Sequence, residues 1–461
     1  MKRFLIALLA LVAAASAAYY LLNRKSAASH ESLIPDDTPA LAVIDVVKMI
    51  KDSGVSIEVA KSRRMNVGID FGRPVYAYMT KSGNIGVAAV LGNCNDLEPH
   101  LDDVRRNGGL TWGVLDGFLV CHDEDRVLLF GPDLTWDDKK AQEEMRELMD
   151  KQTTSSLLLQ DLKAKEAPVR AKVSLAMAAS VLDKDMASEI KGMLRKMYSD
   201  YAGADADIDI ESLYLDLDGK ATDNSIALTA SLTSSDDKTN TVLTECKKKL
   251  RPITHELDVH IPQDATMWMC MNIDGKAVHS ALIKNKDVAA QMEMIDRFIN
   301  VSDILESLNG DVLSVLGDVS AKNMQFGLVA QADNTEFLTS QLKHTLEFFD
   351  IRVGEYEGRT NKSVYASNNP HMIQSMKTGG FQPDKEDGYD GDCVFFLTMD
   401  FGRLIPSVAK PYASISPETT ALYEFFAQDV KTVSIRSTQD VVECRMVLKS
   451  AINDYVSKWI E

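Results

Sequence analysis

The last part of each half of the chain alternates apolar and polar residues with a period of two, which is typical of strands with one buried face. In the first half the apolar positions of a predicted hairpin are Leu213, Leu215, Leu217, Ile226, Leu228, Ala230 and Leu232. In the second half they are Val433, Ile435, Val442, Cys444, Met446 and Leu448. Helical spacing follows both hairpins, at Val242, Leu243, Cys246 and Leu250 and at Ile452, Tyr455, Val456 and Trp459. Each half is therefore predicted to end in strand, strand and helix.

An earlier block in each half has the pattern of strand, turn, strand and helix. In the first half it consists of Val75–Met79, Ile85–Val90 and the helical positions Leu97 and Leu101. In the second half it consists of Val312–Leu316, Phe326–Ala330 and the helical positions Phe337 and Leu342. The two blocks occur in the same order relative to the final hairpins.

Both halves also begin alike, with a proline-marked turn that leads into an apolar run. Ile34-Pro35-Asp36-Asp37 precedes Ala40–Ile44, which ends at Asp45. At a separation of 227 residues and without a gap, Ile261-Pro262-Gln263-Asp264 precedes Met267–Met271, which ends at Asn272. These ordered correspondences predict an α+β fold made of two tandem copies of an antiparallel-sheet-plus-helices domain. The predicted domains are residues 33–258 and 259–461, after an N-terminal hydrophobic helix and linker in residues 1–32.

Between its blocks the first half has more helical character than the second. The acid-rich start of Asp133–Leu148 predicts a helix there, and Asp185–Tyr198 places a methionine stripe on one helix face, predicted to be core. The polar stretch Thr378–Asp392 and the glycine pairs Gly108-Gly109 and Gly379-Gly380 predict a loop and turns.

The N-terminus has the pattern of an export signal. Lys2-Arg3 precedes an apolar run of 19 residues, Phe4–Leu22, which ends at Asn23-Arg24-Lys25. As a helix this run would be about 28 Å long, close to the hydrocarbon thickness of a bilayer. It predicts a signal anchor that holds the body outside the cytoplasm, while the triplet Ala15-Ser16-Ala17 leaves a cleavable signal peptide as the alternative. We expect an envelope location: anchored in the inner membrane and facing the periplasm, or released into the periplasm after cleavage.

The charge balance argues against nucleic acid as a partner. The chain has 50 basic and 68 acidic residues, and residues 30–461 alone carry a net charge of −22. A body of this charge repels phosphate backbones, and no basic stripe compensates for it. At 461 residues the chain is also longer than a single core usually grows, which agrees with two domains.

The segments IPDDTPALAVID (34–45), IPQDATMWMCMNID (261–274) and LNGDVLSVLGDV (308–319), together with the exported two-half layout, resemble an uncharacterised bacterial envelope family, domain of unknown function 4836. The resemblance would cover nearly everything after residue 32. It implies an exported protein, often lipid-anchored, but this chain has no cysteine before Cys94 that could be lipidated. The family supplies no catalytic residues to carry over.

Three segments have the composition of a metal site. His255-Glu256-Leu257-Asp258-Val259-His260 places its histidines five positions apart, whereas a metalloprotease helix needs four. Asp205, Asp207 and Asp209 alternate like calcium ligands, but Ile210 and Asp216 replace the glycine and glutamate of an EF-hand loop. The weak calcium candidates lie in a more flexible loop, at Asp384, Glu386, Asp387, Asp390 and Asp392. A hydrated acidic surface is the simpler interpretation of both acidic segments.

No nucleophile elbow, nucleotide-binding glycine motif or histidine cluster is present in the sequence, so no catalytic residue and no cofactor is predicted. The six cysteines form no C-x-x-C pair and are predicted to be mostly buried free thiols, with one or two disulfides or a metal site as alternatives. Trp112, Trp136, Trp268 and Trp459 are predicted to be core residues, the alternative being a sugar site.

The sequence therefore predicts a non-enzymatic, membrane-tethered envelope protein that presents a surface or cleft to another macromolecule. Its partners are expected to be the membrane, through residues 4–22, and an envelope protein. The alternatives are a binding protein for an apolar or glycan ligand and a hydrolase with an unrecognised site.

Overall fold

The structure is a computed structural model that describes residues 29–55, 68–132, 134–177, 192, 209–262, 265–284, 286–320, 323–346, 351–357, 362–378, 389, 391–408 and 424–455. The chain divides into two compact units. The first comprises residues up to Gly192, Asp209–Asp236 and Ser450 onwards; the second comprises Met193–Ile208 and Asp237–Lys449. Both units combine helices with antiparallel sheet, which confirms the predicted α+β class. The predicted domain boundary after residue 258 stays a prediction.

The first unit contains one antiparallel sheet. Its described strands are β1 (Ala40–Ile44), β2 (Val75–Met79), β3 (Ile85–Val90), β4 (Asp102–Asn107), β5 (Leu110–Leu115), β6 (Phe118–His122), β7 (Arg126–Gly131), β8 (Val169–Ser174), β9 (Leu213–Ala221) and β10 (Ser225–Ser234). They lie in the order β4-β5-β6-β7-β3-β2-β1-β8-β9-β10. The first three strands coincide with the predicted apolar runs, and the β9–β10 hairpin is also as predicted.

Helices cover both faces of this sheet. They are α1 (Val46–Asp52), α2 (Cys94–Leu97), α3 (Lys139–Asp150) and α4 (Leu157–Lys163). Alternate residues of one strand belong to different apolar clusters, as Tyr76 packs with Met145 of α3 whereas Val75 packs with Val46 of α1. Because both faces are buried, β3 and β6 are nearly continuous apolar runs, without the alternation of a half-exposed strand.

Two features of the first unit differ from the sequence predictions. The interval before α3 is not helical, because residues 102–131 form the four strands β4 to β7. The helix predicted from Asp133 begins instead at Lys139, where the Asp138 side chain accepts a hydrogen bond from the backbone N–H of Ala141. The acids before Asp138 lie ahead of the helix and not in its first turn. The helix begins after Asp138 because this residue is its N-cap. The predicted turn at Gly108-Gly109 is confirmed, with both residues at positive φ between β4 and β5.

The second unit contains the described strands β11 (Met267–Asp274), β12 (Leu308–Ser320), β13 (Asn323–Ala332), β14 (Arg352–Glu357), β15 (Lys362–Ser367), β16 (Phe395–Asp400), β17 (Val430–Ser437) and β18 (Val442–Leu448). They form an antiparallel sheet in the order β14-β15-β13-β12-β11-β16-β17-β18. Its described helices are α5 (Asp237–Lys248), α6 (Gly275–Leu282), α7 (Lys286–Asp296), α8 (Val301–Ser307), α9 (Thr335–Leu346), α10 (Pro370–Thr378) and α11 (Phe401–Val408). Trp268, Leu313, Val315 and Phe396 are central to its core.

The entry to each unit is built alike. A 3-10 helix, His30–Leu33 in the first unit and Asp258–His260 in the second, ends at a fully buried isoleucine followed by proline. At the far end of the first strand an aspartate caps a helix: the Asp45 carboxylate accepts from Lys48 N–H at 2.9 Å and that of Asp274 from Ala277 N–H at 3.0 Å. The residue that matches Asp45 in role is therefore Asp274 and not the predicted Asn272, because β11 continues two residues further.

Several predicted segments lie outside the described residues. They include the N-terminal hydrophobic helix over 4–22, the helix over 185–198 except Gly192, the Gly379-Gly380 turn, and the loop over 378–392 except Thr378, Tyr389, Gly391 and Asp392. Thr378 is the last residue of α10. Within the described part of the chain, no helix combines the length and apolar character needed to cross a bilayer.

The Asp36 carboxylate gives the first unit a testable dependence on pH. It accepts hydrogen bonds from Ser155 N–H at 2.6 Å, Thr154 Oγ1 at 3.1 Å and Lys151 Nζ at 3.1 Å, and the Ser155 backbone bond contributes most to lowering the pKa of Asp36 to about 2. A carboxyl with a lowered pKa stabilises the fold above its ordinary pKa and loses that effect as pH falls through the folded value.

We therefore expect Asp36→Asn to lower the melting temperature at pH 5, by an amount that disappears between pH 4 and pH 2. Asp37→Asn is the matched control, since its ion pair with Lys81 is exposed on both sides. A difference between wild type and Asp36→Asn that persists at pH 2 would contradict the prediction.

Candidate functional site

A buried carboxylate, Asp311, is the centre of a polar network in the described part of the second unit. Its side chain is fully buried. It accepts hydrogen bonds from Thr254 N–H at 3.0 Å, Thr254 Oγ1 at 2.6 Å and Asn272 Nδ2 at 3.0 Å. Multiple donors of this kind offset the cost of removing a carboxylate from water.

The local sequence explains why an aspartate at this point of β12 turns into the core. Leu308 pairs with Ala332 and Val312 with Ala330, so three residues of β12 face one residue of β13 and form a β-bulge. Gly310 sits in the bulge at φ +126°, a backbone conformation that favours glycine. The bulge directs Asp311 N–H to Gln331 Oε1 at 2.7 Å, and Gln331 Nε2 in turn donates to Glu256 at 2.7 Å.

The residue before Gly310 connects the same bulge to its surroundings. Asn309 accepts a hydrogen bond from Arg251 at 2.7 Å and donates to Asp333 at 2.6 Å. Arg251 also pairs with the helix-capping Asp274. The segment Asn309-Gly310-Asp311 thus ties the chain that enters the unit, residues 251–256, to the central strands.

A second polar group lies on the same entering segment. Tyr389 Oη donates to Asp258 Oδ1 at 2.5 Å, and Asp258 Oδ2 lies 3.2 Å from His255 Nδ1. The rings of His255 and Tyr389 meet edge to face at 4.5 Å, and Tyr389 also packs against Trp268 and Phe396. Desolvation by burial raises the pKa of Asp258, an effect that the hydrogen bond from Tyr389 opposes, and burial raises the pKa of Tyr389 well above its ordinary value.

The Asp258–His255 pair resembles the acid and the base of a catalytic triad. Whether it could act as one depends on whether a nucleophile lies next to His255 Nε2. His255 Nε2 is buried and has no hydrogen-bond partner among the described residues. A triad needs a hydroxyl or thiol nucleophile hydrogen-bonded to that nitrogen. Among the described residues, the His255 imidazole is therefore held by Asp258 but has no nucleophile beside it. Most of the other polar atoms around it are hydrogen-bonded to one another.

A different kind of feature lies on the helices that follow β11. Of the large apolar side chains that are exposed in the described part of the chain, five fall between residues 282 and 298: Leu282, Ile283, Met294, Ile295 and Phe298. We call these five residues the α7 apolar segment. Phe298 is 85% exposed and Met294 58%, whereas Met292 of the same helix is buried. Within α7, Ala290 and Met294 are four positions apart and share an exposed helix face, and Phe298 lies in the turn that follows the helix.

Comparison of the chain with models of protein families identifies its family. The family model described as "Domain of unknown function (DUF4836)" matches residues 52–365, more than half of the chain. The chain belongs to the DUF4836 family. No curated protein matches it. One solved structure, titled "Structure of crystal form I of TP0453", is 10% identical, covers 50% of this chain and 89% of that chain, and superimposes with a TM-score of 0.27. A likeness at this level carries no argument about function.

The family match confirms the resemblance seen in the sequence, but over residues 52–365 and not over nearly everything after residue 32, so the segment 34–45 lies outside it. The structure shows what the other two resembling segments do in this DUF4836 protein. LNGDVLSVLGDV contains the bulge and its buried Asp311, and the end of IPQDATMWMCMNID contains Asn272 and Asp274. The sequence predictions missed Asp311 as a structural centre. The available signal was a glycine inside an apolar strand pattern, directly followed by an acid.

Only some of the metal candidates of this DUF4836 chain lie within the described residues. Asp384, Glu386, Asp387 and Asp390 lie outside the described residues, as do Asp205 and Asp207, and Asp392 is exposed. His255 and His260 do not share a helix, because residues 258–260 form a separate 3-10 turn in which His260 is buried. Within the described ranges, no group of three His, Cys, Asp or Glu side chains is placed to hold a metal ion.

The cysteines and tryptophans can also be placed. All six cysteines are free; Cys121, Cys270 and Cys393 are buried and Cys444 is exposed, although the strand pattern suggested an apolar position. Burial raises the pKa of the Cys270 thiol, so this residue is poorly disposed to act as a nucleophile. Trp112 and Trp268 are core residues as predicted, and Trp136 packs on Trp112 with ring centroids 6.0 Å apart. Trp459 lies outside the described residues.

Proposed function

We propose that this protein is an exported, membrane-tethered envelope protein that acts through surfaces of its folded body and catalyses no reaction. The observation that carries the proposal is the apolar run Phe4–Leu22, bracketed by Lys2-Arg3 and Arg24-Lys25. Its length matches a bilayer, and charges at both ends are typical of a membrane-inserted segment. The segment from Ser26 would then link the anchor to the first unit, which begins at the 3-10 helix His30–Leu33, so the linker is shorter than the 26–32 suggested by the sequence.

We further propose that the two units are tandem copies of one fold. The order β6-β7-β3-β2-β1-β8-β9-β10 in the first unit has the same antiparallel connections as β14-β15-β13-β12-β11-β16-β17-β18 in the second. The β4–β5 hairpin is an addition to the first. The shared 3-10 helix, Ile-Pro turn and capping aspartate support the same correspondence.

Each unit also has an internal symmetry that supports duplication of a smaller module. In the first unit, the strand order outward from the β1/β8 contact is β1-β2-β3 on one side and β8-β9-β10 on the other. In the second unit, the order outward from the β11/β16 contact is β11-β12-β13 on one side and β16-β17-β18 on the other. At the end of each central strand a side chain accepts a hydrogen bond from the backbone N–H three residues on, which marks the start of a helix; these side chains are Asp45, Ser174, Asp274 and Asp400. A hairpin then returns to the sheet. We infer four related strand-helix-hairpin modules in the chain.

An interaction role is supported by how the polar groups are used. Asp311 and Gln331 are committed to hydrogen bonds that hold the sheet together, and the His255–Asp258 pair has no nucleophile among the described residues. The α7 apolar segment differs from these buried polar groups, because its side chains are exposed to solvent and are not part of the core. A solvent-exposed apolar segment of this size is a mark of an interaction surface.

The membrane tether makes a direct prediction. Replacing Leu11 and Ala13 together by arginine places two charges near the centre of the run, at a cost of about 2.5–3.5 kcal/mol each for insertion. We expect the wild-type chain in the membrane fraction, resistant to salt and extracted by detergent, and the Leu11→Arg/Ala13→Arg chain largely lost from it.

Leu11→Ala is the matched control, because it shortens a side chain without adding charge and should leave the chain membrane-bound. The intact mass of the wild-type protein separates the two forms of export, since an anchor keeps Met1 onwards whereas a signal peptidase would remove residues up to Ala17. A wild-type chain that is washed from membranes by salt, or found in the cytosol, would overturn the proposed tether.

A further inference from the structure

The strand β4 lies at the edge of the sheet of the first unit, and its side chains are exposed at all six positions. Among the described strands it pairs only with β5, so its other side presents backbone N–H and C=O groups without a strand partner there. Val104, in the middle of its charged residues, is an apolar side chain that is 40% exposed. An edge of this kind can be extended by a strand from another chain.

The charges along β4 are separated by sign into two ends. Asp102 and Asp103 precede Val104, whereas Arg105 and Arg106 follow it, so the charges of the strand sum to zero. A two-fold axis reverses the direction of a strand, so the acidic end of one copy would lie beside the basic end of the other. Opposite charges across a strand pair stabilise the pairing, and like charges destabilise it. The strand is therefore complementary in charge to a second copy of itself.

Both arginines keep their charge accessible at this edge. The Arg105 guanidinium lies 4.2 Å from the centre of the Trp136 ring and takes part in no ion pair among the described residues. Arg106 pairs with Glu98 at 2.5 Å, but its side chain is 67% exposed and a guanidinium has five N–H donors. Each arginine can therefore accept a carboxylate from a second chain.

The backbone of β4 also has a feature that proteins use to protect an edge. A bulge with Asp103 at φ +52° interrupts the pairing with β5 between Asp102 and Arg105. Bulges and charged side chains both discourage edge-to-edge association. A protective charge pattern has one sign and repels its own copy, however, whereas the two signs of β4 attract it.

We propose that two copies of the chain associate by antiparallel pairing of their β4 strands. Residues 30–461 carry a net charge of −22, so two copies repel each other in general, and the neutral β4 is a place where they can approach. The contact uses the same strand of both copies, so it closes at a dimer. Two six-residue strands form a small contact compared with the roughly 800 Å² per partner of stable interfaces, so we expect the dimer to dissociate on dilution. This inference goes beyond the proposed tether and does not depend on it.

Exchange of the charges tests the proposal in the full-length chain in detergent. Asp102→Lys/Asp103→Asn makes the acidic end basic, and asparagine tolerates the positive φ at position 103. Arg105→Glu/Arg106→Glu makes the basic end acidic. Each variant alone would repel its own copy, so we expect its dimer dissociation constant, measured by sedimentation equilibrium, to be at least about tenfold larger than that of wild type. An equimolar mixture of the two variants should recover the wild-type affinity.

Asp52→Lys/Asp223→Asn is the matched control for the first variant, because it changes the net charge equally at two exposed acids. These acids lie at the end of α1 and in the β9–β10 turn, away from β4 in the strand order, and we expect this control to dimerise like wild type. Hydrogen exchange of the wild-type chain needs no variant: amides of residues 102–107 should exchange more slowly at high protein concentration than at low. A wild-type chain that stays monomeric, a dimer that both charge variants leave unchanged, or a mixture of the variants that does not associate would overturn the proposal.

Discussion

Gly275→Ala should unfold the second unit at markedly lower temperature than wild type. Gly275 begins α6 directly after the capping Asp274, and α6 packs against α8. A Cβ at this position would overlap the backbone carbonyl oxygen of Leu305 and stand 2.7 Å from that of Leu308. Backbone atoms cannot rotate away as a side chain can, so α8 must shift, and we expect a loss of about 3 kcal/mol or more. Calorimetry of the full-length protein in detergent measures the effect.

Hydrogen exchange locates that effect and provides the control. Faster exchange should be concentrated in residues 275–308 and should spare the strands of the first unit. Gly391→Ala is the matched substitution, because no atom lies within 4 Å of the added methyl group, and we expect it to change stability by less than about 0.5 kcal/mol. If Gly275→Ala and Gly391→Ala melt alike, the close contact between α6 and α8 is not present in the protein.

Asp311→Ala should have a comparable effect through polar groups instead of packing. Removing the carboxylate leaves the Thr254 N–H, the Thr254 hydroxyl and the Asn272 amide buried without their acceptor. Leaving buried donors unpaired costs about 1–3 kcal/mol for each group, with incomplete additivity, so we expect a loss of about 3–4 kcal/mol. Asp311→Asn keeps the volume but removes the charge, and should fall between the alanine variant and wild type.

The same experiment distinguishes a stabilising role from a general effect of removing negative charge. Asp392→Ala removes an exposed acid from the same unit, and should shift the melting temperature little or slightly upward. Exchange at residues 251–258 should rise in Asp311→Ala, since these residues are held to β12 through the carboxylate. A normal melting temperature for Asp311→Ala would show that the network does not hold the entering segment.

The accuracy of the sequence predictions varied with the local signal. Apolar runs bounded by turns identified β1, β2 and β3 residue by residue. The strands β4 to β7 were missed: β4, with the sequence DDVRRN, is exposed throughout and charged, and β6 is a short apolar run that periodicity cannot assign. The start of α3 was placed too early because acids before a helix resemble acids inside its first turn.

The candidate site was harder to predict than the fold, because it depends on a register shift. Whether Asp311 faces solvent or core is decided by the bulge at Gly310, which a simple period-two pattern does not contain. Likewise, Met294 and Phe298 have the spacing of a core face, and only the packed structure shows that Met292 takes the buried side. Composition alone could not separate these two arrangements.

We propose that the folded body lies outside the cytoplasm on a membrane anchor, and the access of a protease to the C-terminus shows on which side of the membrane the body lies. A C-terminal epitope tag is added to the full-length chain, and protease is applied to spheroplasts with an intact inner membrane. We expect the tag to be lost without permeabilisation while a cytoplasmic marker protein survives. A tag that stays protected until the inner membrane is lysed would contradict it.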